Sequence, residues 1–445
     1  MKSNVPRLAF GTFLCGISLQ LHPQALAITV TNLNDSGPGS LRQAIADAPT
    51  GGTIDFAVTG TIVFTSGQLV ITNDLTVNGP GAAALTLSQN STNRILVVSN
   101  GNVSISSLTI ANGKCLGYES GGGILNLATL TLRNCLVTSN HANQAGGGVF
   151  NQGDLTVRDS LIISNRAVRL GGGIACGGTV TIIGSTICSN TVGPLGSYIT
   201  AGGIHNGGGY LVVSNSTVSG NQQYGILHWG AWGGTVIIAS STLANNQQGD
   251  IGMEIGSAVI RNSIIIACGG GIYTSEDYNL IQTHSFDYPS YFIGATNHNI
   301  YGQDPILGPL ADTGGPTPTH ALRFDSPAID AGHSGGATTD QRGLPRPIDD
   351  PNISNAGGGD GCDIGAYESD PILKATGIEA AGREVRLGFN SVLGRNYRLE
   401  SVGDLDNSWT TLSNNIAGTG SANQTVNAGA ISLPRQFYRV KLLLP

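Results

Sequence analysis

The chain has 445 residues, 66 of them Gly, with 40% hydrophobic, 6% aromatic and 11% charged residues and a formal net charge of −7. Disorder is excluded, because Val, Ile and Leu are plentiful and grouped in short runs that can be buried; collagen is excluded, because the glycines keep no three-residue period. Net acidity sets nucleic acid aside as a partner, since phosphate recognition needs a basic surface.

At the N-terminus, Lys2 and Arg7 precede an apolar stretch from Leu8 to Leu21, and Ala25-Leu26-Ala27 follows. This reads as an export signal cleaved after Ala27, so residues 1–27 are a signal peptide. The apolar stretch is shorter than the roughly 20 residues that cross a bilayer. Loss of Lys2 and Arg7 from 21 basic residues leaves 19 against 28 acids, a mature net charge of −9. No later stretch is apolar and long enough to span a membrane, so the mature chain is expected to be secreted or held at a cell surface.

Residues 28–100 read as a cap with first coils. Leu41, Ala44, Ile45 and Ala48 share one helical face, and strand-like runs follow at Thr53 to Phe56, Thr61 to Phe64, Leu69 to Thr72 and Leu75 to Val77. From 101 to 300 the chain repeats itself. Three-glycine groups begin at Gly121, Gly146 and Gly171, and Ala201-Gly202-Gly203 follows, at intervals of 25, 25 and 30 residues. Leu130-Thr131-Leu132, Leu155-Thr156-Val157, Val180-Thr181-Ile182, Leu211-Val212-Val213 and Val236-Ile237-Ile238 keep the same register, as do Ser139-Asn140, Ser164-Asn165, Ser189-Asn190, Gly220-Asn221 and Asn245-Asn246. Units this short hold no amphipathic helix, so alternating strands must join through turns. Equivalent positions then stack about 4.8 Å apart in a rising coil. Gly and Asn suit its sharp corners, and Asn126, Asn151 and Asn206, like Asn140, Asn165, Asn190 and Asn221, are expected as side-chain ladders. The fold class is all-β: a right-handed parallel β-helix with an N-terminal helical cap and a small C-terminal antiparallel β-sandwich.

The opening Thr29-Val30-Thr31-Asn32-Leu33-Asn34-Asp35-Ser36-Gly37-Pro38-Gly39-Ser40-Leu41-Arg42-Gln43-Ala44-Ile45 and the Gly-Gly-Gly-Ile repeats resemble bacterial right-handed β-helix proteins of the pectin-lyase-like superfamily. They are also similar to the repeats of polymorphic outer-membrane proteins. Residues 301–371, with Asp304-Pro305-Ile306-Leu307-Gly308-Pro309-Leu310, Ser326-Pro327-Ala328-Ile329-Asp330-Ala331-Gly332 and Asp363-Ile364-Gly365-Ala366-Tyr367-Glu368, resemble the acidic terminal region of surface proteins with interchangeable anchors. Residues 372–445, with Gly394-Arg395-Asn396-Tyr397-Arg398-Leu399-Glu400-Ser401, resemble a C-terminal module of secreted bacterial proteins, which implies export or surface attachment.

A lyase of this fold needs clustered carboxylates to hold Ca²⁺ and an Arg or Lys as base, and a hydrolase needs paired carboxylates. Between residues 100 and 270 the acids are Glu119, Asp154, Asp159, Asp250 and Glu254, and none has another acid one period away. The catalytic candidates are therefore Asp250 and Glu254 with Arg261. His228, Trp229 and Trp232 could form a sugar-stacking platform; His205 reads as a packed corner residue. In the Asp-rich terminal region Asp340, Asp360 and Asp363 are the first candidates for Ca²⁺, against the alternative that they bond local amides and arginines. Cys115 with Cys135, and Cys176 with Cys188, could form disulfides or pack as small apolar residues. A non-catalytic surface protein in adhesion or glycan binding is the favoured function, with no cofactor required. A polysaccharide-degrading enzyme, a pectate-lyase-like lyase before a glycoside hydrolase, is the alternative.

Overall fold

The structure, a computed structural model, describes residues 27–193, 200–229, 233–284, 291–323, 325–350, 353–370, 373, 375–381, 384–389, 391, 396–405, 408–419, 424–430 and 436–443. The export-signal residues up to Leu26 and the candidate Trp232 lie outside them. Alternation of apolar and polar residues sorts each short strand into two faces. In Thr129–Arg133, Leu130 and Leu132 are buried and Thr131 is partly exposed. This strand lies parallel on Asp154–Arg158, Leu130 opposite Leu155, and that one lies on Thr179–Ile183 in the same register. Residues one period apart are thus direct neighbours, and the chain is a parallel β-solenoid.

Stacking of coils produces a 12-stranded parallel sheet, a 19-stranded sheet and a 4-stranded sheet. The largest carries two strand columns, one through Ile124–Asn126 and Val149–Asn151, the other through Leu136–Thr138 and Leu161–Ile163. Inward residues make one continuous core: Leu130, Leu155, Val180, Leu211, Val236, Ala258 and Tyr273 follow one another up the stack, none more than 1% exposed. At the corners, Gly121, Gly146 and Gly171 have φ of 76°, 65° and 61°, the left-handed region that favours glycine. A Cβ on the following Gly147 would sit 2.3 Å from the Arg166 carbonyl oxygen.

Coil length varies more than the repeats of about 25 residues expected up to residue 300. Equivalent positions are 25 residues apart from Asn165 to Asn190, 31 to Asn221, and 22 from Ser241 to Ser263, then 16 to Asn279. The late coils shorten because they make no strand equivalent to Arg166–Ala167; the four-stranded sheet ends at Thr191–Val192.

A seven-residue helix, Leu41–Asp47, stands near the first coils, its N-terminus held by the Ser40 hydroxyl accepting from Gln43 N at 3.2 Å. Leu41 and Ala44 join the solenoid core. The cysteines from Cys115 to Cys362 are buried and none is disulfide-bonded, so neither suggested disulfide forms. Cys176 also breaks the ladder expected from Asn126 through Asn151 to Asn206. Asn126 Nδ2 donates to Asn151 Oδ1 at 2.6 Å, but Cys176 stands between Asn151 and Asn206 in register, its Sγ 3.5 Å from Asn206 Oδ1.

After Tyr301 no further coil is added among the described residues. The described residues between 302 and 370 make an antiparallel strand pair, Leu307–Ala311 with Thr319–Leu322, and the single antiparallel bridges Gly332 to Cys362 and Thr339 to Pro345, and otherwise run as turns and loops against the solenoid. The contact is polar. Thr186 donates to the Pro318 carbonyl, Thr217 bonds Thr319 and Gln341, and Ala366 N donates to Thr242 Oγ1. An apolar seam of Ile264, Leu280, Leu322, Ala328 and Ile364 continues it. Beyond residue 370, two three-stranded antiparallel sheets share a small core of Val385, Leu387 and Leu399.

Candidate functional site

The corner ahead of each short strand is the most regular feature. Ser139, Ser164, Ser189, Gly220 and Asn245 all have φ between 54° and 63°. The next residue is always a buried Asn. Asn140, Asn165, Asn190 and Asn221 each donate from Nδ2 to the Oδ1 of the Asn one coil on, at 3.0, 3.0, 3.0 and 2.9 Å. The second Nδ2 hydrogen goes to a carbonyl of the preceding coil, Val137 O for Asn165 and Ile162 O for Asn190. Every rung is satisfied on both sides, which is what permits so many amides inside the stack.

Asp250 is the last rung. Its Oδ1 accepts from Asn246 Nδ2 at 2.8 Å and its Oδ2 from Ala267 N at 2.9 Å, and burial pushes its pKa up against those bonds. The carboxylate is turned into the ladder. Glu254 lies exposed near the end of the same strand, and Arg261 pairs with Glu276 at 3.5 Å, both half exposed. The three catalytic candidates therefore make no cluster.

Among the aromatic candidates, Trp229 ends its strand 46% exposed, while His228 beside it is fully buried. Among the described residues, neither ring nitrogen of His228 nor Nδ1 of His205 makes a hydrogen bond of good geometry. Burial lowers both pKa values, that of His205 to about 4 with His228 adding to the effect, so both rings are neutral. His205 stands opposite Leu227 and His228 opposite Asn206, so the two occupy different positions on the coil.

The Ca²⁺ candidates are engaged singly. Asp340 accepts from Arg342 Nε at 2.7 Å and from the amides of Arg342, Leu344 and Glu368. Asp360 accepts from Ser334, and Asp363 from Ser369 and the Asp330 amide. No group of three His, Cys, Asp or Glu side chains among the described residues is placed to hold a metal ion. These carboxylates order turns, together with a fully buried Arg346–Glu368 pair at 2.7 Å.

A groove facing solvent with polar walls, among the described residues, was not singled out by motif. It has a volume of about 690 Å³ and is lined by Arg166, Ser189, Thr191, Val192, Gly220, Asn221, Gln222, Asn245 and Gln247. Of the ladder asparagines Asn221 reaches its wall, and the left-handed corners Ser189, Gly220 and Asn245, with Arg166, Thr191, Gln222 and Gln247, supply most of the lining. The available signal was the residue after each Ser-Asn corner: His141, Arg166 and Thr191 recur at the period of the repeat and alternate with buried Ala142, Ala167 and Val192.

No protein-family model matches this chain, and no curated protein matches it. Among solved structures it is similar to ORF18 of Geobacillus virus E2, with 11% sequence identity, a TM-score of 0.32, and coverage of 94% of this chain and 78% of that one. A likeness of that degree carries no reading of function.

Proposed function

We propose that the chain is a secreted or surface-held, non-catalytic β-solenoid that binds glycans on its flank. The observation that carries this reading is the polar groove of about 690 Å³ beside Arg166, built on corners that the adjoining asparagine ladder holds in place. Glycan sites are built from convergent amides, hydroxyls and charged groups, and this groove offers all three. The engagement of Asp250 as the ladder's end argues against the rival reading of a pectate-lyase-like enzyme. The C-terminal sheets and the terminal region then serve attachment, which frees the solenoid flank to face a ligand.

A glycan array probed with the mature chain tests the reading, alongside reducing-end and unsaturated-product assays over a polysaccharide panel with and without Ca²⁺. Binding without turnover is expected. Turnover that is abolished by Asp250→Asn, a change that preserves the acceptor for Asn246, would overturn it.

A further inference from the structure

The four-stranded sheet presents one side chain per coil to solvent. Lys114, His141, Arg166 and Thr191 stand opposite one another in register, and the residue after each is buried. Backbone bonds carry the column onward: Thr191 N donates to Asn165 O, Gln222 N to Asn190 O and Gln247 N to Asn221 O. Lys114, His141, Arg166, Thr191, Gln222 and Gln247 thus occupy one position in successive coils, a strand spacing of about 4.8 Å apart. The groove occupies the part of this column from Arg166 to Gln247.

What the column offers is donors. Arg166 is exposed, and its guanidinium has no hydrogen bond or ion pair among the described residues. Gln222 Oε1 accepts from Val192 N at 3.0 Å and Gln247 Oε1 from Gln223 N at 3.4 Å. Each amide oxygen thus has a protein donor, and the NH₂ groups are left to donate outward. No carboxylate lines the groove, although the chain as a whole carries a net charge of −7. Glu119, the acid five residues after Lys114, is paired with Arg94 at 3.4 Å. The hydroxyls of Ser189 and Thr191 and the Asn245 amide can serve the hydroxyls of any sugar; what favours an anion is the unpaired guanidinium of Arg166 with no carboxylate beside it.

We propose that this column binds a linear acidic polysaccharide that runs along the solenoid axis, its anionic groups set against Arg166 and Lys114 and its hydroxyls against Gln222 and Gln247. The proposal rests on the glycan-binding reading and adds the ligand class, the residues and the direction of the chain.

Affinity electrophoresis and titration calorimetry of the mature chain against heparin, alginate, dextran and duplex DNA test it. Heparin reports on sulfate and alginate on carboxylate as the anionic group. Binding of at least one of them, weakened by added salt, is expected, with dextran and DNA bound far less. Arg166→Ala is expected to lower affinity about tenfold, Lys114→Ala by a smaller factor, and Arg166→Lys to restore part of the loss. Arg166 is exposed, so an unchanged melting temperature should accompany its loss of binding. The proposal falls if Arg166→Ala binds as wild type, if dextran competes equally, or if DNA binds as tightly as the acidic glycans. If neutral glycans on the array bind while heparin and alginate do not, this proposal fails and the broader reading stands. If no glycan binds, both fail.

Discussion

Gln341 Nε2 donates to Thr186 Oγ1 at 2.8 Å, across 155 residues of sequence. The same amide group reaches Thr317 Oγ1 at 2.9 Å, and its oxygen accepts from Thr217 at 2.6 Å, so one side chain pins the terminal region to two coils. Gln341→Ala leaves several buried hydroxyls without their partner, a loss of about 1–3 kcal/mol. Faster amide hydrogen exchange is expected across residues 302–370, with the solenoid's inner strands unaffected. Unchanged protection in that region would show that Gln341 does not hold it in place.

A rung in the middle of the asparagine ladder is bonded to both neighbouring coils. Asn190→Ala removes two donations from Nδ2 and the acceptor for Asn165, leaving buried partners unsatisfied. A loss of about 3 kcal/mol in urea unfolding is expected. The corner before it behaves oppositely. Ser189 has φ of 54°, where the next coil uses Gly220, so Ser189→Gly should stabilise by roughly 0.5–1 kcal/mol. Loss of stability in both variants would show that the corner and the ladder are not separate contributions.

The solenoid was legible because Leu130, Leu155 and Val180 repeat at a constant interval, and a constant interval becomes contact when coils stack. The ladder was legible for the same reason up to Asn221. Its last rung was not, since Asp250 lies only four residues after Asn246 and reaches it around a turn. For that reason a structural carboxylate read as a catalytic one. The docking of the terminal region was hidden too. The recurrence of Thr186, Thr217 and Thr242 at one position was in the sequence, but β-branched polar residues on a strand surface ordinarily face water, and here they are no more than 1% exposed. The common column of Arg166, Gln222 and Gln247 carries no motif and becomes visible only through the register.

Thiol chemistry should be slow in the folded protein. Burial raises the pKa of Cys176 to about 12 and of Cys115, Cys135 and Cys188 to about 11, and a thiolate is the reactive form. Iodoacetamide is expected to leave these four cysteines unmodified in the native chain and to alkylate them in denaturant without prior reduction. Peptides that require a reductant before labelling would reveal disulfides instead.

The pH dependence of stability should be dominated on the alkaline side by Asp330. Its carboxyl is buried, accepts from Asp350 N at 3.0 Å, and faces Asp363, Asp349 and Asp350. Desolvation first, then those acids, push its pKa from 3.8 to about 8. The folded chain therefore keeps this proton between pH 4 and 8 while the unfolded chain releases it. Its contribution is fully present below pH 4 and is lost progressively as pH rises to 8, above which it no longer changes. Burial also raises the carboxyls of Asp363 and Glu368, which adds slope of the same sign. Asp330→Asn keeps the acceptor for Asp350 N, suits the left-handed φ of 52°, and removes the titration. Thermal melts should coincide for the two proteins at pH 4 and separate as pH approaches 8, with the variant melting higher. Parallel melting curves over that range would mean that Asp330 titrates no differently in the folded and unfolded chains.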